Sequence, residues 1–158
     1  MNIAIVGATG NVGRKTLEVL EKKDLSIGNL YLIASSKSAG KKISFKGKDY
    51  EIFDLESFDF SKVKIAFFAA GGKISEKFAE KAAKYCFVID NSSFYRMDPD
   101  VPLVVPQVNS NHLDRIKKNI IANPNCSTAQ LVIALKPLHD LFVIKRVVVS
   151  TYQSVSGG

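Results

Sequence analysis

Short, continuously apolar runs alternate along the chain with longer segments whose apolar positions recur every three to four residues. Ile3–Val6, Leu30–Ala34, Ile65–Ala70 and Phe87–Asp90 are the runs, and Val12–Lys22 and Ile74–Lys84 are the periodic segments. A strand covered on both faces reads as unbroken hydrophobic sequence, whereas a strand with one wet face alternates. The runs therefore predict a parallel sheet between helices, and the rhythm predicts an α/β, Rossmann-like doubly wound fold. Between the second and third runs, Lys42-Ile43-Ser44-Phe45 and Tyr50-Glu51-Ile52-Phe53 flank Gly47. That pattern predicts a hairpin where a helix might stand.

Pro99, Pro102 and Pro106 interrupt Ser92–Val108, which reads as a loop with little regular structure. Loops of that length are commonly functional. Beyond it the pattern predicts a short helical piece around Asn109–Lys117, an apolar Ile120-Ile121-Ala122, a helix from about Ser127 to Leu135, and a strand over Arg146–Val155. Gly157-Gly158 follow directly on that last strand, so an incomplete second unit is expected.

Composition narrows the function classes. With 158 residues, 46% of them hydrophobic, the chain can build one real core. Its net charge of +7 raises the question of nucleic acid. Much of the excess is local: Lys37, Lys41, Lys42, Lys46 and Lys48 fall within twelve residues that hold no acid. No aromatic ladder or base-reading motif accompanies them, so a small anionic ligand is expected and nucleic acid is not. The start, Met1-Asn2-Ile3-Ala4-Ile5-Val6, has no basic leader, and no stretch reaches the ~20 apolar residues of a membrane span. Two cysteines forty residues apart, Cys86 and Cys126, make neither a disulfide framework nor a metal-ligand spacing. A cytoplasmic protein without a metal is expected.

Gly7-Ala8-Thr9-Gly10-Asn11-Val12-Gly13 lies between the first predicted strand and the first predicted helix, the context a dinucleotide fingerprint requires. Gly7 permits the tight turn, Gly10 lets the backbone approach a pyrophosphate, and Gly13 allows close packing of helix on sheet. Thr9 can add a hydroxyl. A tight turn with no ligand is the alternative, and the position at the first βα junction weighs against it. At the end of the second strand, where NAD enzymes usually offer an acid to the ribose hydroxyls, the sequence reads Ser35-Ser36-Lys37-Ser38-Ala39-Gly40-Lys41. Hydroxyls and cations suit a 2′-phosphate, each charge-assisted bond contributing about 1.5–3 kcal/mol. NADP is the predicted cofactor; a merely solvated lysine loop is the alternative.

In Asn123-Pro124-Asn125-Cys126-Ser127-Thr128-Ala129-Gln130-Leu131, a proline-bounded turn becomes a helix at Cys126. The positive end of a helix dipole favours thiolate, the reactive form, and nearby N–H groups can stabilise an oxyanion. Cys86 opens the apolar run Cys86-Phe87-Val88-Ile89 and is expected to be buried and inert.

These motifs carry a resemblance. The chain resembles the aspartate-semialdehyde dehydrogenases of bacteria and archaea along its whole length. The matching pieces are the glycine loop, Ser35–Gly40, Ala69-Ala70-Gly71-Gly72, Asp90-Asn91-Ser92-Ser93, Val105–Asn109, Asn123–Thr128 and Tyr152–Gly157. The resemblance implies reductive dephosphorylation of aspartyl phosphate to aspartate semialdehyde with NADPH, on the way to lysine, methionine and threonine. It implies that Cys126 is the acylated nucleophile, that Gln153 orients the acyl group, that Asn125 shapes the turn, and that Arg96 binds the transferable phosphate, as a guanidinium can with two oxygens at once. Cofactor contacts carry over to Thr9, Gly10, Asn11 and Val12 at the pyrophosphate, Lys37 and Ser38 at the 2′-phosphate, and Ser156 and Gly157 near the nicotinamide, with Gly71 admitting the backbone. The implied domains are residues 1–125 for the cofactor and 126–158 as the start of an α+β catalytic and dimerisation domain, in a homodimer when complete. The family's general base and substrate-carboxylate arginine match nothing here. His112 and His139 are expected to be solvated or capping, and the chain alone to be inactive. The rivals are N-acetylglutamyl-phosphate reductase, in which glycine usually precedes the cysteine, and a non-catalytic NADP-binding module.

Overall fold

The computed structural model describes residues 1–152. Seven strands form one sheet: β1 (Ile3–Val6), β2 (Leu30–Ala34), β3 (Lys42–Phe45), β4 (Lys48–Asp54), β5 (Ile65–Phe68), β6 (Phe87–Asp90) and β7 (Ile120–Ala122). Their spatial order is β3-β4-β2-β1-β5-β6-β7, parallel throughout except for β3 against β4. The helices are α1 (Asn11–Lys22), α2 (Gly72–Ala83), α3 (Pro106–Asn109) and α4 (Cys126–Phe142). The doubly wound fold expected from the apolar runs is thus what forms.

The core has two layers. On one face Val6, Ile33, Phe68, Val88 and Ile120 pack under α2 through Phe78, Ala79 and Ala82. On the other, Ile3, Ile5, Leu30, Leu32 and Ile52 pack under α1 through Leu17 and Leu20. All four residues of β1 are buried, as a central parallel strand requires. The covering is incomplete farther out: Ile65, Phe67, Ile89 and Ile121 are only half-buried and Phe87 is 47% exposed. Their unbroken apolar sequence predicted two covered faces. The discrepancy arises because α1 covers the β1–β2 side, while no side chain of α4 is buried.

Other departures have local causes. The expected hairpin is β3–β4, turning at Lys46 (φ 49°) and Gly47 (φ 73°), two left-handed residues that match the twist of the strands. β4 then also pairs with β2, so the hairpin extends the main sheet. The helical piece expected over Asn109–Lys117 is α3 followed by a 3-10 turn at Ser110–Arg115. The helix expected to stop at Leu135 runs through Pro137 to Phe142, with Lys136 and Asp140 pairing at 2.5 Å across the proline. The strand expected over Arg146–Val155 does not form in its described part, residues 146–152, where no neighbouring strand offers hydrogen bonds; the rest lies outside the described residues. No described helix is long and apolar enough to cross a membrane.

Candidate functional site

Because β1, β2, β4, β5, β6 and β7 run the same way, the segments that follow them all emerge on one edge of the sheet. These are the glycine loop, the Ser35–Gly40 turn, Leu55–Glu56, Ala69–Gly71, Asn91–Arg96 and Asn123–Asn125. Chain order reverses at β1, which has β2 on one side and β5 on the other, and such a switch point opens a crevice for ligands. A cavity of about 480 Å³ lies there, walled by Gly7, Thr9, Gly10, Ser35, Ser36, Asp54, Glu56, Ala69 and Ala70 among others.

The three loop glycines have different reasons to be glycine. Gly7 holds φ +87°, and a Cβ on it would come within 2.7 Å of the Ala69 carbonyl oxygen. A Cβ on Gly13 would sit 2.2 Å from the Gly7 carbonyl oxygen, so the close packing expected of helix on sheet is here helix on loop. Gly10 has an ordinary φ of −78° and a Cβ there would meet nothing nearer than 3.4 Å. The fold itself therefore does not demand glycine at Gly10 as it does at Gly7 and Gly13. Gly10 caps α1 without a side chain, and the first turn, Asn11 and Val12, is exposed. Its N–H groups lack partners within the helix. These features fit a dinucleotide pyrophosphate. Gly71 (φ +86°) precedes α2 with open space where a Cβ would be.

At the other end of the crevice, Ser35 and Ser36 line the wall, while Lys37 and Ser38 stand next to them on the turn and outside it. The turn is held by Ser38 N–H to Ser35 O at 2.8 Å and Gly40 N–H to Ile52 O at 2.9 Å. Sequence reasoning found no acid here. The structure brings Asp54, the last residue of β4, and Glu56 just beyond it into the same wall, because β4 pairs in parallel with β2 and the two strands end side by side.

Cys126 is the first residue of α4, capped by Asn125, whose side-chain oxygen accepts from Ser127 N–H at 3.0 Å and Ser127 Oγ at 2.7 Å. The Cys126 Sγ is exposed and 3.6 Å from the same oxygen. Cys86 is its opposite: 6% exposed, with its Sγ donating to Ala82 O at 3.4 Å and its thiol pushed up to about 11 by burial.

Arg96 straps the cysteine turn to the loop after β6. Its Nε donates to Asn123 O at 2.9 Å and its Nη2 to Asn91 O at 3.1 Å, while Asn123 Nδ2 donates to Asn91 Oδ1 at 2.9 Å. A guanidinium has five N–H groups, so an edge remains for a ligand. Beneath this strap lies a network that sequence reasoning did not single out. Asp90, fully buried, accepts from Ser75 Oγ at 2.6 Å, Ser92 N–H at 3.1 Å and Ser92 Oγ at 2.7 Å. Its available signal was an acid closing an apolar strand and followed by hydroxyl residues.

The two histidines stand apart from the crevice wall: His112 has its Nδ1 3.1 Å from Asn109 Nδ2, and exposed His139 lies in the last turn of α4. Gln153, Ser156 and Gly157 lie outside the described residues. No cluster of metal-ligating side chains occurs among the described residues.

A parallel sheet, a glycine loop at the first βα junction and a crevice at the switch point define a doubly wound dinucleotide-binding domain. Residues 2–116 match the semialdehyde dehydrogenase NAD binding domain, and the chain belongs to that family. It is 57% identical to an aspartate-semialdehyde dehydrogenase of Aquifex aeolicus over 98% of its own length and 46% of that protein's. Aspartate semialdehyde dehydrogenase II of Vibrio cholerae, solved in complex with ASA, superposes with a TM-score of 0.85 at 50% identity, over 88% of this chain and 46% of that one. The Candida albicans enzyme, solved with NADP, gives 0.73 at 33% identity, over 89% and 47%. The family resemblance read from the motifs is borne out, and the chain spans about half the length of the relatives it matches.

Proposed function

We propose that this chain is the cofactor-binding half, with the nucleophile, of an NADP-dependent aspartate-semialdehyde dehydrogenase. The observation that carries it is the convergence of the glycine-loop crevice and Cys126, exposed at the head of α4, on one edge of the sheet. The Cys126 thiolate attacks the acyl carbon of aspartyl phosphate, the bond to the phosphate oxygen breaks, and a thioester and inorganic phosphate result. A dihydronicotinamide, when bound, would supply the hydride that reduces the thioester, and Cys126 would leave as thiolate as the carbon–sulfur bond breaks and the aldehyde is released. Arg96, its guanidinium fixed by two carbonyls, presents its remaining N–H groups to the leaving phosphate. Asn125 holds the turn that aims Cys126, and Gln153 orients the acyl group. Thr9, Gly10, Asn11 and Val12 take the pyrophosphate on the turn that Gly7 and Gly13 make possible, Lys37 and Ser38 the 2′-phosphate, and Ser156 and Gly157 the nicotinamide side, with Gly71 letting the backbone approach the cofactor. Residues 126–158 begin the catalytic and dimerisation domain, and the complete protein works as a cytoplasmic homodimer on small molecules.

The test completes the chain with the C-terminal half of the Aquifex relative and follows phosphate-dependent NADP reduction. Signal with aspartate semialdehyde, none with the N-acetylglutamyl analogue, and loss in Cys126→Ala are the expected results. NADPH binding with no reaction of either aldehyde leaves the cofactor role standing and removes the dehydrogenase.

A further inference from the structure

We propose that Asp54 is a specificity-determining residue that restrains this crevice's preference for a 2′-phosphorylated dinucleotide. The inference rests on the dinucleotide reading above and refines it. In doubly wound folds the ribose nearest the adenine lies at the end of the second strand, where an acid from that strand accepts from its hydroxyls. Here β2 ends in Ala34 followed by serines, and the acid comes from the neighbouring strand instead. Ala34 and Asp54 are register partners in the parallel β2–β4 pair, and Leu55 N–H donates to Ala34 O at 2.9 Å. Asp54 is therefore placed beside the last residue of β2, and it lines the crevice together with Ser35 and Ser36.

The two acids of this wall differ in compensation. Glu56 is paired with Lys77 at 2.6 Å. Asp54 has no ion-pair partner among the described residues; its Oδ1 accepts from Glu56 N–H at 3.1 Å, and no hydrogen bond to its second oxygen is found among them. A half-buried carboxylate with a free oxygen accepts well from a ribose 2′-hydroxyl and repels a 2′-phosphate. Lys37 on the adjoining turn acts in the opposite sense. The preference between the two cofactors is the balance of these two charges, set by a residue that no motif around the second strand includes.

The experiment measures calorimetric Kd values of the 158-residue chain for adenosine 2′,5′-bisphosphate and for 5′-AMP, ligands that differ only in the 2′-phosphate. Asp54→Asn keeps an oxygen for the Glu56 N–H and removes the charge. It should tighten the bisphosphate about fivefold and weaken 5′-AMP about twofold, a shift in ratio that shrinks as salt rises. Asp54→Ser, which also preserves a turn acceptor, should shift the ratio the same way, and serves if the asparagine variant misfolds. Lys37→Ala should shift it the other way. An unchanged ratio in a folded Asp54 variant that binds both ligands overturns this proposal and leaves the dinucleotide reading intact. An unsubstituted chain that binds neither ligand overturns that reading, and this proposal with it.

Discussion

Between Ile3 and Ala122 the strand interiors are closed by α1, α2 and the loop after β6, and a continuous set of side chains is withdrawn from water. From Cys126 to Tyr152 not one residue is buried, although the segment is rich in Val, Ile and Leu; Leu141 and Phe142 are each 74% exposed. The two regions therefore hold together by different means. The first relies on burial. The second relies on local devices, namely the Asn125 cap, the Lys136–Asp140 pair and half-buried Val132 and Leu135 beside Val108. The crevice belongs to the first region, while the thiol sits where the second begins, so cofactor binding and thiol reactivity should respond separately to substitution.

The contrast can be broken at its strongest point with Phe68→Ala. Phe68 is fully buried in β5 and stacked on Phe60 at 6.0 Å, and its loss should cost about 3–5 kcal/mol in urea unfolding. Phe142→Ala should change stability by less than about 0.5 kcal/mol, because the ring is already in water. Equal losses from both would mean that α4 is packed after all. Gly13→Ala, with its Cβ forced toward the Gly7 carbonyl, should cost about 1–3 kcal/mol and abolish NADPH binding in a fluorescence titration, while Gly10→Ala should weaken binding at little cost in stability.

Ser75→Ala removes a donor to buried Asp90 and should cost about 1–3 kcal/mol. The effect on Cys126 sharpens the comparison: if the Asp90 network positions the cysteine turn, alkylation of Cys126 should change rate as well, and an unchanged rate would confine the network to structure. Alkaline titration separates the two thiols further. Burial raises Cys86 from 9.0 to about 11, so the folded chain keeps a proton that the unfolded chain loses. The stability this carries is complete below pH 9 and is lost as pH rises toward about 11, on the order of 1 kcal/mol once nearby solvent is allowed for. Cys86→Ala should flatten that limb, and an unaltered slope would show that the thiol is not its source. Asn125→Ala should cost about 1 kcal/mol for a lost helix cap, with slower alkylation of Cys126 as its signature.

Strand runs with covered faces were legible because burial on both sides leaves no polar position to interrupt them, and the glycine loop because two of its glycines answer to backbone sterics that act over a few residues. Cys126 was legible for the same reason, since a proline-bounded turn before an apolar segment announces a helix start. The extent of α4 was not, because Pro137 reads as a stop while the pair bracketing it acts across four residues. Nor was the absence of strand over residues 146–152, since a strand needs a partner and sequence pattern does not say whether one is present.

The sequence by itself determined the parallel α/β architecture, the place of the dinucleotide loop and the different fates of Cys86 and Cys126, all consequences of local hydrophobic pattern and local backbone geometry. Only the tertiary structure decided that Asp54 stands beside the end of β2, twenty residues away from Ala34 in the chain, that Arg96 braces the cysteine turn, and that Ser75 and Ser92 together hold buried Asp90. Those placements follow from strand order and register, which arise from the packing of the whole sheet and leave no mark in any short stretch of residues.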